Sequence, residues 1–132
     1  MTGIIVLAHG SREAQAAAAW HALEQAVRLQ LKLTSASSHK APPLIHFQFG
    51  MGGLPEALDT LTAAGADDIA ILPYFLFSGY HLRHTIPELI QAWQKAHPKV
   101  RLSLDSALGE DPRMVDLLAE RIGNAATDQT GS

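Results

Sequence analysis

The segment IAILPYFLFSGYHLRHTIPELI, residues 69–90, reads as one strand, loop and helix in succession. Ile69 to Leu76 is a nearly continuous apolar run, the pattern of a strand covered on both faces, as in a parallel sheet flanked by helices. The run gives way to a loop centred on Gly79. Thr85-Ile86-Pro87-Glu88 then opens a helix, with Thr85 placed to cap it, Pro87 in its first turn and Glu88 three residues beyond the cap. His81 and His84 are thereby predicted in a strand-to-helix loop. In open α/β sheets the ligand crevice forms beyond the carboxyl ends of the strands, so this address favours function.

Working outward, Gly3 to Ala8 is a second short buried strand, ending directly in His9-Gly10-Ser11-Arg12. His9 thus occupies another strand end. Trp20, Leu23, Val27 and Leu31 recur at spacings of three and four, predicting a helix whose opposite face carries His21, Glu24 and Arg28, with His21 expected to be solvated. Thr34 to Pro43 has the composition of a surface loop and includes His39. Leu44 to Phe49 alternates with period two, so Ile45, Phe47 and Phe49 share one face and His46 and Gln48 the other.

Gly50 to Gly53 lacks the lysine of a Walker loop and the third glycine of a dinucleotide fingerprint, so no nucleotide is expected. These glycines form either a plain turn or a thinned backbone that a flat ligand can approach. Leu54, Leu58 and Leu61 mark the next helix, with Gly65 near its end. After the segment quoted first, Leu89, Ile90 and Trp93 line the core side of a helix closing at His97-Pro98, where His97 is expected to meet the last-turn carbonyls. Val100, Leu102 and Leu104 alternate with Arg101 and Ser103, which suits an edge strand. Asp111-Pro112 starts a last helix bearing Val115, Leu118 and Ile122, expected to stop at Gly123.

The resulting order predicts a three-layer α/β domain over residues 1–123, with a four-stranded, mostly parallel sheet and helices on both faces. Residues 124–132 are expected to form a flexible tail. The composition is that of a soluble domain, with 47% hydrophobic and 17% charged residues. Ten basic against thirteen acidic residues give a formal charge of -3, which argues against nucleic acid as a partner. No stretch suits a membrane or a signal peptide, and a cytoplasmic setting is expected. The absence of cysteine excludes thiolate metal sites, leaving the seven histidines and oxygen ligands to hold any metal.

His9 and His81, each next to a glycine region and each ending a central strand, should converge on one crevice able to bind a metal or move protons. The motifs LAHGSR at 7–12, PYFLFSGYHLRHTIPEL at 73–89 and LGEDPRMVDLL at 108–118 together resemble the CbiX-type sirohydrochlorin cobaltochelatases, in the short, single-domain form. That resemblance implies insertion of divalent cobalt, or of nickel or iron in relatives, into a sirohydrochlorin-type tetrapyrrole by a homodimer, with no nucleotide consumed. It also implies that His9 and His81 bind the metal. His84 is a further candidate ligand. In relatives an acidic residue commonly stands at Gln48 and an aspartate at Thr85.

Chemically, neutral imidazoles can hold the ion or accept the departing pyrrole protons. Arg12, Arg83 and the backbone at Gly10 and Ser11 suit the carboxylates of the macrocycle rim. Tyr80 and Gln48 complete the expected substrate-binding set. Two other readings compete: a non-catalytic metal or tetrapyrrole carrier, and a phosphoryl-transfer enzyme with His9 as nucleophile, for which few nearby positive groups are available.

Overall fold

The computed structural model of the chain describes residues 1–34 and 42–130; His39 and most of the segment predicted as its surface loop lie outside them. Four strands, β1 (Thr2–Ala8), β2 (Leu44–Phe49), β3 (Asp68–Pro73) and β4 (Arg101–Leu104), form a sheet in the order β2-β1-β3-β4. Every pairing in it is parallel. The helices are α1 (Ala14–Thr34), α2 (Leu54–Ala63), α3 (Ile86–Ala96) and α4 (Pro112–Thr130). The two apolar runs are the central strands and the alternating Arg101–Leu104 is an edge, as their patterns require.

Because parallel strands need a crossover, each helix returns the chain to the same end of the sheet. All strands therefore finish at one edge, and the loops following β1 and β3 are neighbours. Ile5, Leu7, Ile69 and Ile71 are completely buried on one face of the sheet, packed with Leu54 and Leu58 of α2 and Ile86 of α3. Each such side chain contributes roughly 1.5–3 kcal/mol by leaving water. On the other face Trp20 of α1 meets Phe47 and Phe49, at ring separations of 5.7 and 6.0 Å. Helix α2 ends where Gly65 takes φ 107° and lets the Ala66 amide return to the Leu61 carbonyl at 2.9 Å.

Three local expectations are corrected and one, the third below, is extended. Strand β3 stops at Pro73 rather than Leu76, since proline has no N–H to extend a ladder. The Tyr74 amide makes a last bond to the Leu7 carbonyl at 2.8 Å, and Phe75 then turns into the core. Second, Thr85 is not a cap: a π-helical turn, His81–Thr85, runs straight into α3, and Thr85 has helical angles of φ -63° and ψ -49°.

Third, Arg28 is exposed opposite the apolar stripe, as read, and it also reaches across to β2. Its guanidinium donates to the Ile45 carbonyl at 2.7 Å and to Glu24 at 2.9 Å, and lies 5.5 Å from the Phe47 ring centre. A long cationic side chain can reach back over an apolar neighbour to an edge-strand carbonyl, which a helical-wheel pattern does not show. Fourth, α4 continues through Gly123 to Thr130. One glycine costs a helix about 1 kcal/mol without ending it unless it turns left-handed, and Gly123 does not.

Asp111 caps α4. Its carboxylate accepts the Arg113 amide at 2.9 Å and both arms of the Arg113 guanidinium, at 3.0 and 2.8 Å. The side-chain bond from Arg113, followed by that from the Arg113 amide, lowers the Asp111 pKa from 3.8 to about 2. A carboxyl lowered on folding stabilises the fold fully above its unfolded pKa, and that contribution disappears as pH falls through the folded one. The Asp111 carboxyl resonance should accordingly titrate near 2, and in Arg113→Gln it should move up towards the ordinary range. A midpoint in Arg113→Gln unchanged from wild type would discard this pairing.

Candidate functional site

His9 leaves the end of β1 and lies flat on Phe75, with ring centres 4.4 Å apart and planes within 17°. Phe75 is buried and so gives His9 a fixed floor. Across from it, His81 meets His9 edge-on, at 5.1 Å between centres and 79° between planes. The prediction that the two strand-end histidines share one crevice is therefore realised in the fold. His81 owes its position to the π turn. Five residues closing on one bond let Thr85 fall beneath the ring, with His81 Nδ1 and Thr85 Oγ1 3.0 Å apart.

That contact accommodates either tautomer of His81, because the Thr85 hydroxyl can accept or donate. When Nδ1 carries the proton and donates it to Thr85, Nε2 keeps its lone pair for an ion or a proton. An imidazole nitrogen binds a divalent first-row ion at about 2.1 Å, so two imidazoles on one ion have ring centres roughly 5–6 Å apart. The observed 5.1 Å between His9 and His81 suits a shared ion with its remaining positions open. Among the described residues there is no cluster of three or more His, Asp or Glu side chains set to hold an ion. His84 lies instead beside Tyr80, at 4.8 Å between ring centres.

The pair borders a cavity of 380 Å³ whose walls include Phe75, Leu76, Phe77, Gly79, Tyr80 and Leu82. Tyr80 is 70% exposed and Phe77 81% exposed, so the walls are apolar and open to one side. The loop is tied down from behind. The Gly109 amide donates to the Phe75 carbonyl at 2.9 Å, and the Ser78 hydroxyl donates to the Glu110 carboxylate. A side chain at Gly109 would collide with the Leu76 carbonyl, its Cβ only 1.9 Å away.

The glycines after β1 and β2 serve each other. Gly10, at φ 88°, passes so close to Gly50 that a Cβ there would lie 2.9 Å from the Gly50 Cα, and the Gly50 amide donates to the Ala8 carbonyl at 3.2 Å. Gly53 leaves room for the side chain of Gln48, which would be 2.2 Å from a Cβ. Gln48 bonds His46 at 3.0 Å and the Gly50 carbonyl at 3.3 Å, and is not among the residues lining the histidine cavity. Ser11 accepts the Glu13 amide at 3.1 Å at the start of α1. Arg12 and Arg83 are exposed. His97 closes α3 as expected, 2.9 Å from the Trp93 carbonyl and stacked on its indole; His21 is exposed.

Pattern reading does not show that Phe75 lies beneath His9 or that Thr85 meets the His81 ring. Phe75 hides in an apolar run, but Thr85 stands four residues after His81, a spacing that brings side chains together once the segment is helical.

The CbiX family model matches residues 3–125. The chain is 27% identical over 129 residues to the sirohydrochlorin ferrochelatase of Priestia megaterium, covering 98% of this chain and 46% of that protein. It is 28% identical over 81 residues to the sirohydrochlorin cobaltochelatase of Saccharolobus solfataricus, covering 57% and 63%. Among solved structures, the sirohydrochlorin chelatase SirB of Bacillus subtilis subspecies spizizenii in complex with cobalt superposes with a TM-score of 0.68 at 25% identity, over 93% of this chain and 50% of that one. The CbiX protein of Marinobacter aquaeolei VT8 has the same fold, with a TM-score of 0.70 at 20% identity and coverage of 100% and 99%. The chain spans about half the length of the two ferrochelatases it matches, covering 46% and 55% of them.

Proposed function

The chain belongs to the CbiX family, and from that premise we propose that it inserts a divalent metal into a sirohydrochlorin-type tetrapyrrole without a nucleotide. Cobalt is the metal we assign first, with iron and nickel as alternatives, since relatives are named both cobaltochelatase and ferrochelatase. The observation that carries the reading is the pair of strand-end imidazoles, 5.1 Å apart above an apolar cavity.

Insertion asks two things of the protein. The ion must be held with open positions, and the macrocycle must be set over it while two pyrrole N–H protons leave. His9 and His81 hold the ion through nitrogen. As the ion passes to the ring, the same imidazoles become free to take the two protons through their nitrogen lone pairs. Phe75 fixes the plane of His9 and Thr85 that of His81. Tyr80 and Phe77 offer flat apolar contact to the ring, and Arg12 and Arg83 reach its carboxylates from the rim. The working unit in this reading is a homodimer in the cytosol.

The test mixes purified protein, in trace amount, with sirohydrochlorin and Co²⁺, Ni²⁺ or Fe²⁺ separately while the visible spectrum is followed. Many turnovers per chain are expected with one of the ions. Product that never exceeds the protein present would instead identify a carrier.

Thr85 gives a further expected outcome. Removing the partner of a metal-binding histidine commonly costs about 10–100-fold in affinity or activity. Thr85→Val should lower insertion by about that amount, and Thr85→Ser, which keeps the hydroxyl, should restore most of it. Equal activity in Thr85→Val and wild type would remove the argument that Thr85 holds the His81 ring.

A further inference from the structure

Most of the wall of the histidine cavity comes from one loop. Phe75, Leu76, Phe77, Gly79 and Tyr80 all line it, between the end of β3 at Pro73 and the π turn that begins at His81. Neither element reaches into this stretch, so its shape is set from outside. Among the described residues, two hydrogen bonds join residues 75–79 to another element, and both go to the short turn Leu108–Glu110. The Gly109 amide holds the Phe75 carbonyl at 2.9 Å, at the root of the loop. The Glu110 carboxylate holds the Ser78 hydroxyl, near its far end.

The turn is a fixed support. Ala107, just before it, is buried, and the Asp105 amide donates to the Ile71 carbonyl at 2.9 Å, which ties the approach to the turn to β3. The turn closes on itself through the Asp111 amide and the Leu108 carbonyl, 3.1 Å apart. The loop has no such internal support at its far end. Ser78 precedes Gly79, where a side chain would meet nothing within 4 Å and the backbone has its widest choice of angles. Phe77 and Tyr80 flank this pair and, at 81% and 70% exposure, are too open for core packing to set their direction. The bond to Glu110 therefore pins the chain between the two aromatic walls.

We propose that Glu110 is a positioning residue for the tetrapyrrole: through Ser78 it holds Phe77 and Tyr80 at the angle at which the flat ring meets them. Glu110 does not line the histidine cavity, so it acts without touching the ring or the ion. The proposal rests on the chelatase reading and deepens it, because it divides the site into two parts that are held separately. His9 is set by its stack on Phe75 and His81 by its contact with Thr85, neither of which passes through Glu110. The aromatic walls are set by the Ser78–Glu110 bond. Without that bond the loop samples other directions, and binding a ring then costs the entropy of ordering it again. Binding of the ion alone carries no such cost.

The experiment measures equilibrium binding of metal-free sirohydrochlorin by its absorption spectrum, and of Co²⁺ alone by calorimetry, in Ser78→Ala, Glu110→Ala, the double variant and Glu110→Gln. Each alanine variant should weaken sirohydrochlorin binding by about threefold to tenfold, the scale of one hydrogen bond. The double variant should lose no more than either single one, because both changes delete the same bond. Glu110→Gln keeps an acceptor for the Ser78 hydroxyl and should bind nearly as wild type does. Co²⁺ affinity should hold in all four. Unchanged sirohydrochlorin binding in both alanine variants overturns the proposal and leaves the chelatase reading standing. Losses that add in the double variant, a Glu110→Gln as weak as Glu110→Ala, or an equal loss of Co²⁺ binding do the same, since each would make Glu110 something other than a holder of the loop. Wild-type protein that does not bind metal-free sirohydrochlorin at all overturns both.

Discussion

His9→Ala and His81→Ala should each reduce metal insertion by about 10²–10³-fold, the several kcal/mol of transition-state stabilisation at stake when a metal-holding group is deleted. The two losses should not add, because one imidazole alone cannot keep the ion poised and the second deletion removes little that remains. Stability should respond in the opposite proportion. His9 and His81 are exposed at a strand end. Deleting His9 forfeits chiefly its stack on Phe75, worth about 0.5–1.5 kcal/mol. For comparison, Ile5→Ala in the fully buried centre of the sheet should cost about 2–5 kcal/mol. Melting curves with insertion rates per folded molecule separate the cases. A histidine variant that melts like Ile5→Ala but turns over normally would make these histidines structural. His84→Ala should cost less than either, since its ring lies against Tyr80 and does not line the histidine cavity; an equal loss would promote it to a ligand.

How much of this was legible in the sequence depends on which interaction fixes each feature. Which strands are central follows from apolar periodicity, because an apolar run without a wet face belongs in the middle of a parallel sheet; which edge strand stands beside which does not. The meeting of His9 and His81 follows in turn, since neighbouring parallel strands finish at one edge. The floor beneath His9 does not follow. Phe75 reads as one more residue of a strand, and only the departure of the chain after Pro73 turns it into the core. Thr85 carries the local signature of a cap. Its contact with His81 depends on the turn closing one residue wide, which residue preferences do not specify. The partners of Arg28 and Gln48 are not legible for a related reason: each bonds to a backbone carbonyl whose availability is set by tertiary placement.

The other large effect concerns α4. Val115, Leu118 and Ile122, at 61–70% exposure, form an apolar stripe that continues into Leu76 and Phe77, at 59% and 81%. Isolated apolar side chains at the surface are ordinary, but a contiguous row of this kind marks a surface built to be covered. The row bounds a groove of 350 Å³ that shares Leu76 and Phe77 with the histidine cavity, so whatever covers α4 also stands beside the site. We expect a second copy of the chain there. A symmetric pairing places the same stripe against itself, and it brings a second wall to a cavity that is open on one side and too shallow alone to seal a tetrapyrrole from water. Phe75, buried beneath His9, stays with its own subunit; Phe77 and Tyr80 are the groups shared across the junction. Sedimentation should show twice the monomer mass at working concentration. Leu118→Asp, which places a charge in the middle of the stripe, should give a folded monomer whose insertion activity falls by tenfold or more, the scale of roughly 1.4 kcal/mol or greater off the transition state. His9 and His81 are intact in that variant, so its cobalt binding in the absence of tetrapyrrole should remain close to wild type. A wild-type monomer with full activity would end the two-wall argument, and so would a Leu118→Asp monomer that inserts metal as fast as its parent. A dimer that survives Leu118→Asp and joins instead along β2 would show that α4 is covered by something else.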